Sequence, residues 1–279
     1  MHVASIWQYP IKSMVGTTVP VAEIDATGIV GDRTWAARDH VRGGIRGAKK
    51  IGALMNLAAQ YVDDHHGPVE IHLPDGSVTR TDRPDVHERV SAAISHPVTL
   101  EALRPAEDLD HYRRGGPDSD DVMAELRGIF GREEDEPLPD FSVFPPVIME
   151  YESPPGTYVD AFPLMIMSTS ALRSLTDALP GSVIDVRRFR PSFVVDTGDA
   201  SGHPEQRWTG RRARIGTAEI EFATPCPRCV MVTRAIAPDI PEDRSVLRHV
   251  VRELDQCVGI YATVVTPGVV HAGDELELI

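Results

Sequence analysis

The chain begins HVASIWQ (residues 2–8), TTVPVAEID (17–25) and RTWAARD (33–39), three stretches rich in β-branched or alternating apolar residues. Turn-forming residues stand between them: Pro10, Gly16, Gly28 and Gly31. Short apolar runs bounded by glycine and proline are typical of β-strands. The opening of the chain therefore predicts three short strands that begin a β-barrel or sheet.

A hairpin and a helix complete the predicted first domain. The runs VEIHL and SVTRT flank Pro74-Asp75-Gly76, which is a strong turn signal between two strands. Residues 84–95 (PDVHERVSAAIS) then have the pattern of a helix. We expect an N-terminal β-barrel-like domain over residues 1–105.

An acidic connector is predicted over residues 106–140. Its residues 107–140 hold twelve acidic side chains and four arginines, so their net charge is 4 − 12 = −8. Asp121 is placed to cap a helix that ends at Gly131. The apolar face of this helix would consist of Val122, Met123, Leu126, Ile129 and Phe130. We interpret the segment as a connector or lid that carries one docked helix.

The remaining residues, 141–279, are predicted to form a second domain with several strands and two or three helices. Residues 168–179 and 242–254 have apolar residues at helical spacing. Runs typical of strands occur at 192–196, 214–222, 229–233, 258–265 and 275–279. The predicted fold class is α+β, mostly β: an N-terminal β-barrel-like domain is followed by a β-barrel domain with a few helices.

Charge and composition exclude several classes of protein. The sequence has 28 Lys+Arg against 42 Asp+Glu, a formal net charge of −14, which would repel a nucleic acid. Three cysteines are too few for a disulfide framework and fit a reducing compartment. The first residues lack the features of a signal peptide, and no run approaches the roughly 18 apolar residues of a membrane span. We therefore expect a cytoplasmic protein with no membrane or nucleic-acid partner.

The segment TPCPRCVMVT (residues 224–233) contains a CxxC motif that is open to several interpretations. A thioredoxin-like dithiol should begin a helix, whereas the residues after Cys229 favour a strand. A zinc site needs two more ligands, and the sequence has no second CxxC or HxxxH pair. The third interpretation is a single thiolate, metal ligand or nucleophile, held beside the Arg228 cation. In the remaining alternative, both cysteines are buried and act only as small apolar residues of the core.

Other motifs accompany this one along nearly the whole chain. They are Tyr9-Pro10-Ile11-Lys12-Ser13, Gly28-Ile29-Val30-Gly31-Asp32-Arg33-Thr34-Trp35, Asp160-Ala161-Phe162-Pro163-Leu164, Arg188-Phe189-Arg190-Pro191, Trp208, Pro267-Gly268 and Gly273-Asp274. Each motif alone is weak, but their joint occurrence in this order is specific. With them the sequence resembles the MOSC proteins (named for the molybdenum-cofactor sulfurase C-terminal domain) that carry an N-terminal MOSC β-barrel domain.

The resemblance implies a molybdenum–molybdopterin cofactor with one protein cysteine on the metal. The second cysteine of the motif is the family's ligand, so Cys229 is the implied metal ligand and catalytic residue. The residues implied to bind the pterin and its phosphate are Lys12, Ser13, Arg33, Ser168, Thr169, Ser170, Arg188, Arg190 and Arg228. A polyanion in an acidic protein needs local cations, which agrees with this set. Pro227 departs from relatives with serine there and removes two donors for the phosphate.

The implied activity is a two-electron reduction that removes oxygen from a small N-hydroxylated compound at the metal. Two alternatives stay open: a sulfur transferase or carrier with a cysteine persulfide, and a non-catalytic molybdenum-cofactor-binding protein. The chain has neither iron–sulfur cysteine spacing nor a GxGxxG nucleotide motif. A separate iron–sulfur or flavin reductase is therefore the expected electron donor.

Overall fold

The computed structural model describes all 279 residues, 1–279. The strands are β1 (His2–Gln8), β2 (Thr17–Val19), β3 (Val21–Asp25), β4 (Gly28–Ile29), β5 (Trp35–Asp39), β6 (Ile45–Arg46), β7 (Ala58–Tyr61), β8 (Val69–His72), β9 (Val78–Arg80), β10 (Val98–Ala102), β11 (Leu164–Ser168), β12 (Phe193–Asp196), β13 (Arg212–Ile215), β14 (Ala218–Pro227), β15 (Cys257–Thr266), β16 (Gly268–His271) and β17 (Leu276–Leu278). The helices are α1 (Val86–Ile94), α2 (Leu109–Tyr112), α3 (Val122–Phe130), α4 (Thr169–Ala178), α5 (Val186–Phe189) and α6 (Arg244–Glu253). Short 3-10 turns cover Gly52–Asn56, Phe141–Val143, Pro146–Met149, Pro204–Trp208 and Val230–Thr233.

Most of the strands belong to one large sheet. Its eight strands follow the order β17-β13-β14-β15-β11-β12-β1-β2. Three sheets of three strands each have the orders β10-β5-β6, β16-β3-β4 and β7-β8-β9. The class α+β, mostly β, is confirmed, but the strand pairing leaves the large sheet open between β17 and β2 instead of closing it into a barrel.

Strand pairing also joins the two ends of the chain. Strand β1 pairs antiparallel with β12, with His2 opposite Asp196, and β3 pairs antiparallel with β16. Backbone hydrogen bonds therefore cross the predicted boundary at residue 105. The domain limits 1–105, 106–140 and 141–279 remain predictions.

The long helices lie where the sequence predicts them. Helix α3 begins as expected, because Asp121 Oδ1 accepts hydrogen bonds from the backbone N of Met123 at 2.8 Å and of Ala124 at 3.2 Å. It ends at Gly131, whose φ of 62° is the left-handed conformation that glycine favours. No helix of the chain combines the length and the apolar character that crossing a bilayer requires.

The strand predicted at residues 229–233 is wrong. Val230–Thr233 form a 3-10 turn instead, with Cys229 as its N-cap, because Met231 and Val232 pack into two different apolar cores. Arg188 lies in the short helix α5, which starts where Asp185 accepts a hydrogen bond from the Arg187 backbone N at 2.8 Å, and Arg190 follows this helix with a left-handed φ of 58°.

The CxxC segment lies at the junction of two cores. Cys226 belongs to a cluster built mainly around α4 and α6. Cys229 packs against another cluster, formed by the N-terminal residues together with Met231, Ile236 and Ile240. The motif is thereby held between the two halves of the protein.

Candidate functional site

A cationic cleft opens where these two halves meet. Its lining includes Lys12, Ser13, Arg33, Asp160, Arg188, Arg190, Cys226, Arg228 and Cys229. Five cations thus face one carboxylate in a protein whose net charge is −14. Segments that lie far apart in the sequence bring these side chains together, so the cleft concentrates positive charge as a polyanion site requires.

The loop after β1 supplies Lys12 and Ser13. The Lys12 Nζ donates to Tyr158 O at 2.8 Å, to Asp160 Oδ1 at 2.7 Å and to Ser153 Oγ at 3.3 Å. These three acceptors use all three protons of the ammonium group. The Ser13 Oγ accepts a hydrogen bond from the Ala48 backbone N at 2.8 Å. Both side chains are buried and are bonded to protein groups.

The two arginines around Phe189 have different environments. Arg188 is fully buried, and its guanidinium donates to the carbonyl oxygens of Val183, Val232, Arg234 and Pro241 at 2.7–3.2 Å. Arg190 donates from Nη1 to the Met14 carbonyl oxygen, while its buried Nη2 has no protein partner. Arg188 therefore crosslinks the backbone, whereas Arg190 keeps a donor for a ligand.

Electrostatics around Arg190 favour an anion. Its guanidinium carbon lies 4.2 Å from the centre of the Tyr9 ring. Burial and the neighbouring Arg33 cation lower the pKa of Arg190 to about 10. Arg33 itself forms an ion pair with Asp32. An anionic ligand beside Arg190 would offset the cost of burying its charge.

Arg228 joins the motif to the cleft. Its Nη2 donates to Phe189 O at 2.7 Å and its Nη1 to Cys226 Sγ at 3.0 Å. The buried Nε has no protein partner. Like Arg190, Arg228 has a free N–H group among the residues that line the cleft.

The three cysteines are not equivalent. Cys226 is 3% exposed, and burial raises the pKa of its thiol. Burial also raises the pKa of Cys257, to about 12. Cys229 is partly exposed and lines the cleft. It is therefore the cysteine best placed to bind a metal.

Lys49 and Asp160 accompany Cys229. The Asp160 carboxylate bridges two lysines, with Lys49 Nζ at 3.0 Å and Lys12 Nζ at 2.7 Å. Although burial favours the neutral acid, the cations of Lys12 and Lys49 hold the pKa of Asp160 well below its usual range. Burial would lower the pKa of Lys49, but the negative charge of Asp160 raises it. Lys49 and Asp160 also share with Cys229 the lining of a groove beside the cleft.

Lys49 and Asp160 are absent from the set of site residues derived from the sequence. Two signals could have found them: Lys49 is one of only three lysines in the chain, and Asp160 begins the motif Asp160-Ala161-Phe162-Pro163-Leu164. A lysine-poor sequence makes each lysine informative. The ion pair between Lys49 and Asp160 joins distant parts of the chain and could not be inferred from the sequence.

Ser168, Thr169 and Ser170 do not line the cleft. Ser168 begins α4, where its Oγ accepts a hydrogen bond from the Ala171 backbone N at 3.0 Å. The same hydroxyl donates to Glu205 Oε2 at 2.5 Å, while burial raises the pKa of this carboxyl. The structure thus gives Ser168 the role of a helix cap and of a partner for a buried acid.

The Ser168→Ala variant tests this structural role. Losing the cap and the hydrogen bond to a buried carboxyl should lower the free energy of unfolding by about 2–4 kcal/mol. Thermal or urea unfolding of the protein without cofactor measures this change. A variant that kept full stability but lost bound pterin would contradict the structural role and favour the cofactor contact.

The residues provide no conventional metal site. No group of three or more His, Cys, Asp or Glu side chains is placed to hold a metal ion. A metal bound at Cys229 would therefore take its other ligands from a non-protein group.

Comparison with known proteins identifies two domains in the chain. Residues 1–112 match the MOSC N-terminal beta barrel domain and residues 154–277 match the MOSC domain. Mitochondrial amidoxime reducing component 2 of Bos taurus is 27% identical over 256 residues, which are 85% of this chain and 67% of the relative. Mitochondrial amidoxime-reducing component 1 of Homo sapiens is 25% identical over 306 residues, covering 99% of this chain and 82% of the relative.

Among solved structures, the YUAD protein from Bacillus subtilis covers 99% of this chain and 94% of its own, with a TM-score of 0.44 and 13% identity. YiiM from Escherichia coli covers 42% of this chain and 54% of its own, with a TM-score of 0.33 and 19% identity. The two matched domains together span most of the sequence. The chain therefore belongs to the family of MOSC-domain proteins that carry an N-terminal MOSC beta barrel domain.

Proposed function

We propose that the protein is a molybdenum-cofactor-dependent oxidoreductase that removes oxygen from small N-hydroxylated compounds. The observation that carries this proposal is the cationic cleft, in which the partly exposed Cys229 lies with two arginines that have unpartnered N–H groups. The names of the relatives, amidoxime reducing components, support the choice of an N–O bond as the reacting group.

The residues of the cleft fit a phosphorylated pterin. The free donors, Arg190 Nη2 and Arg228 Nε, are the groups that would bind the phosphate. A soft thiolate at Cys229 is a suitable ligand for a thiophilic metal. Dithiolene sulfurs on the pterin would supply the further ligands that the protein lacks.

When bound, the cofactor supplies the two-electron chemistry and accepts the substrate oxygen. The protein orients the cofactor through the arginines and the Cys229 sulfur, which tunes the metal without acting as nucleophile. Lys49 and Asp160 form an ion pair in a groove that Cys229 also lines, and their charges can position a polar substrate group. The overall reaction consumes two electrons and two protons and yields the reduced nitrogen compound and water.

We propose that the electrons come from a separate protein. The three cysteines of the chain do not have the spacing of an iron–sulfur site. We propose a separate iron–sulfur or flavin reductase as the donor, since such proteins transfer single electrons to a metal site.

Metal analysis tests the proposal most directly. Protein made in a host that synthesises molybdopterin should contain about one molybdenum per chain, since one thiolate completes one metal site. Elemental analysis and the pterin released on denaturation provide the measurement. Zinc in place of molybdenum with no pterin would refute the cofactor, whereas a persulfide on Cys229 without metal would favour sulfur transfer.

A further inference from the structure

An apolar groove adjoins the cationic cleft and reaches the same cysteine. It encloses about 390 Å³, which falls within the range of small-molecule sites. Asp160, Pro227, Cys229 and Tyr261 line both the groove and the cleft. A molecule in the groove therefore has direct access to the position of the proposed metal.

Apolar side chains form the walls of the groove. Helix α3 contributes Leu126, Ile129 and Phe130, and the turns after it contribute Phe141, Phe144, Ile148 and Met149. The ring centres of Phe130 and Phe141 are 5.5 Å apart, and those of Phe141 and Phe144 are 6.5 Å apart. The planes of these rings are inclined to each other by 68° and 43°, so they form an aromatic wall against which a further ring can pack edge to face.

The charged groups at the rim of the groove are paired with each other. Lys50 binds Asp118, at 3.0 Å, and Glu125. Arg114 binds Glu152 at 2.5 Å. Arg46 pairs with Asp39 and Asp118, and Lys49 pairs with Asp160. Every charged side chain that lines the groove thus has a partner of opposite charge, so the groove offers no unpaired charge to an ionic ligand. A neutral, apolar molecule is the ligand that it fits.

Most of the groove comes from the segment between the two matched domains. The family matches end at residue 112 and resume at residue 154, and more than half of the lining residues fall between them. The acidic segment is held against the rest of the protein by Lys50 and by Arg248, which pairs with Glu136. It thus acts as a wall beside Cys229.

We propose that this groove binds an aromatic group of the substrate and presents the attached N–O group at Cys229. The inference rests on the proposed function and specifies its substrate class: neutral aromatic N-hydroxylated compounds. Phe141 and Phe144 determine specificity, because they contact the ring and not the reacting atoms.

Two amidoximes that differ only in the attached group provide the test. The molybdenum-loaded protein should have a kcat/KM for benzamidoxime about tenfold or more above that for acetamidoxime, since only the phenyl group buries substantial apolar area. Replacing both Phe141 and Phe144 with alanine should lower this ratio roughly tenfold. The matched control is Val143→Ala, an exposed residue of the same turn outside the groove lining, which should keep the ratio.

Binding of benzamide, a neutral aromatic compound without an N–O bond, gives a readout that needs no turnover. Its Kd should rise roughly tenfold in the double variant and stay unchanged in Val143→Ala. Ile129→Ser, on helix α3 in the groove lining, gives a second variant with the same expectation if the double variant unfolds. If benzamide binding depended on these residues but neither amidoxime were reduced, the proposed function would be refuted. The groove would still be a binding site for aromatic groups. If benzamide bound equally to all variants and the kcat/KM ratio did not change, the proposal that the groove binds the aromatic group would be refuted.

Discussion

Replacing Cys229 with serine should lower the reduction of an N-hydroxylated substrate at least about 100-fold, because a direct metal ligand is lost and even outer residues of metal sites contribute about 10–100-fold. Cys229 is the partly exposed cysteine of the cationic cleft. A serine hydroxyl is a poorer ligand for a thiophilic metal than a thiolate. Turnover with an artificial electron donor, measured with the molybdenum content of the same sample, gives the result.

The matched control is Cys226→Ser, the same substitution at the other cysteine of the motif. Cys226 Sγ accepts a hydrogen bond from Arg228 Nη1 at 3.0 Å, and a serine oxygen can accept the same bond. This variant should therefore retain much of the activity. If Cys226→Ser were inactive and Cys229→Ser behaved like the unchanged protein, the ligand assignment would be reversed.

Local sequence signals predicted the helices well. Asp121 and Gly131 bound α3 because an N-cap and a left-handed C-terminal residue act within a few positions of the chain. The turn at Pro74-Asp75-Gly76 likewise lies between β8 and β9. Caps and turns depend on residues only a few positions apart, so they can be predicted from the sequence.

Tertiary packing decided the regions where prediction failed. Residues 229–233 contain β-branched residues typical of a strand, yet Met231 and Val232 bury themselves in two different cores and the chain turns. The side-by-side position of β1 and β12, about 190 residues apart, has no local signal at all. Neither feature follows from propensity.

For the site, too, the sequence motifs predicted which residues come together but not the role of each one. Motifs brought Lys12, Arg190, Arg228 and Cys229 into one predicted site, and all four line the cleft. The sequence could not distinguish a residue that faces a ligand from one that supports it. Arg188 lies in the same motif as Arg190 but donates only to backbone carbonyls.

Because Arg190 has a free donor and Arg188 has none, we expect Arg190→Met to weaken cofactor binding. The affinity for the pterin cofactor should fall by about one to two powers of ten. Losing a charge-assisted hydrogen bond costs roughly 1.5–3 kcal/mol, which corresponds to that change in binding. Methionine keeps a Cβ at the left-handed φ of 58° and a flexible side chain over the Tyr9 ring. Backbone strain and packing are therefore largely retained.

Arg188→Met is the matched control, since the same substitution is made two residues away. Four carbonyl oxygens lose their donor there, so the free energy of unfolding should fall by about 3 kcal/mol or more. Lys12→Ala should behave similarly, because it leaves Asp160 without one of its two lysines.

Thermal unfolding of the cofactor-free variants, measured beside their pterin content, separates the two roles. Arg190→Met should stay close to the unchanged protein in Tm and retain less pterin, with the deficit partly corrected by excess cofactor during reconstitution. Arg188→Met should unfold at a lower temperature before any specific loss of pterin is seen. Equal pterin content in Arg190→Met and the unchanged protein would remove Arg190 from the phosphate site, and Arg228 with its free Nε would then be the remaining donor to test.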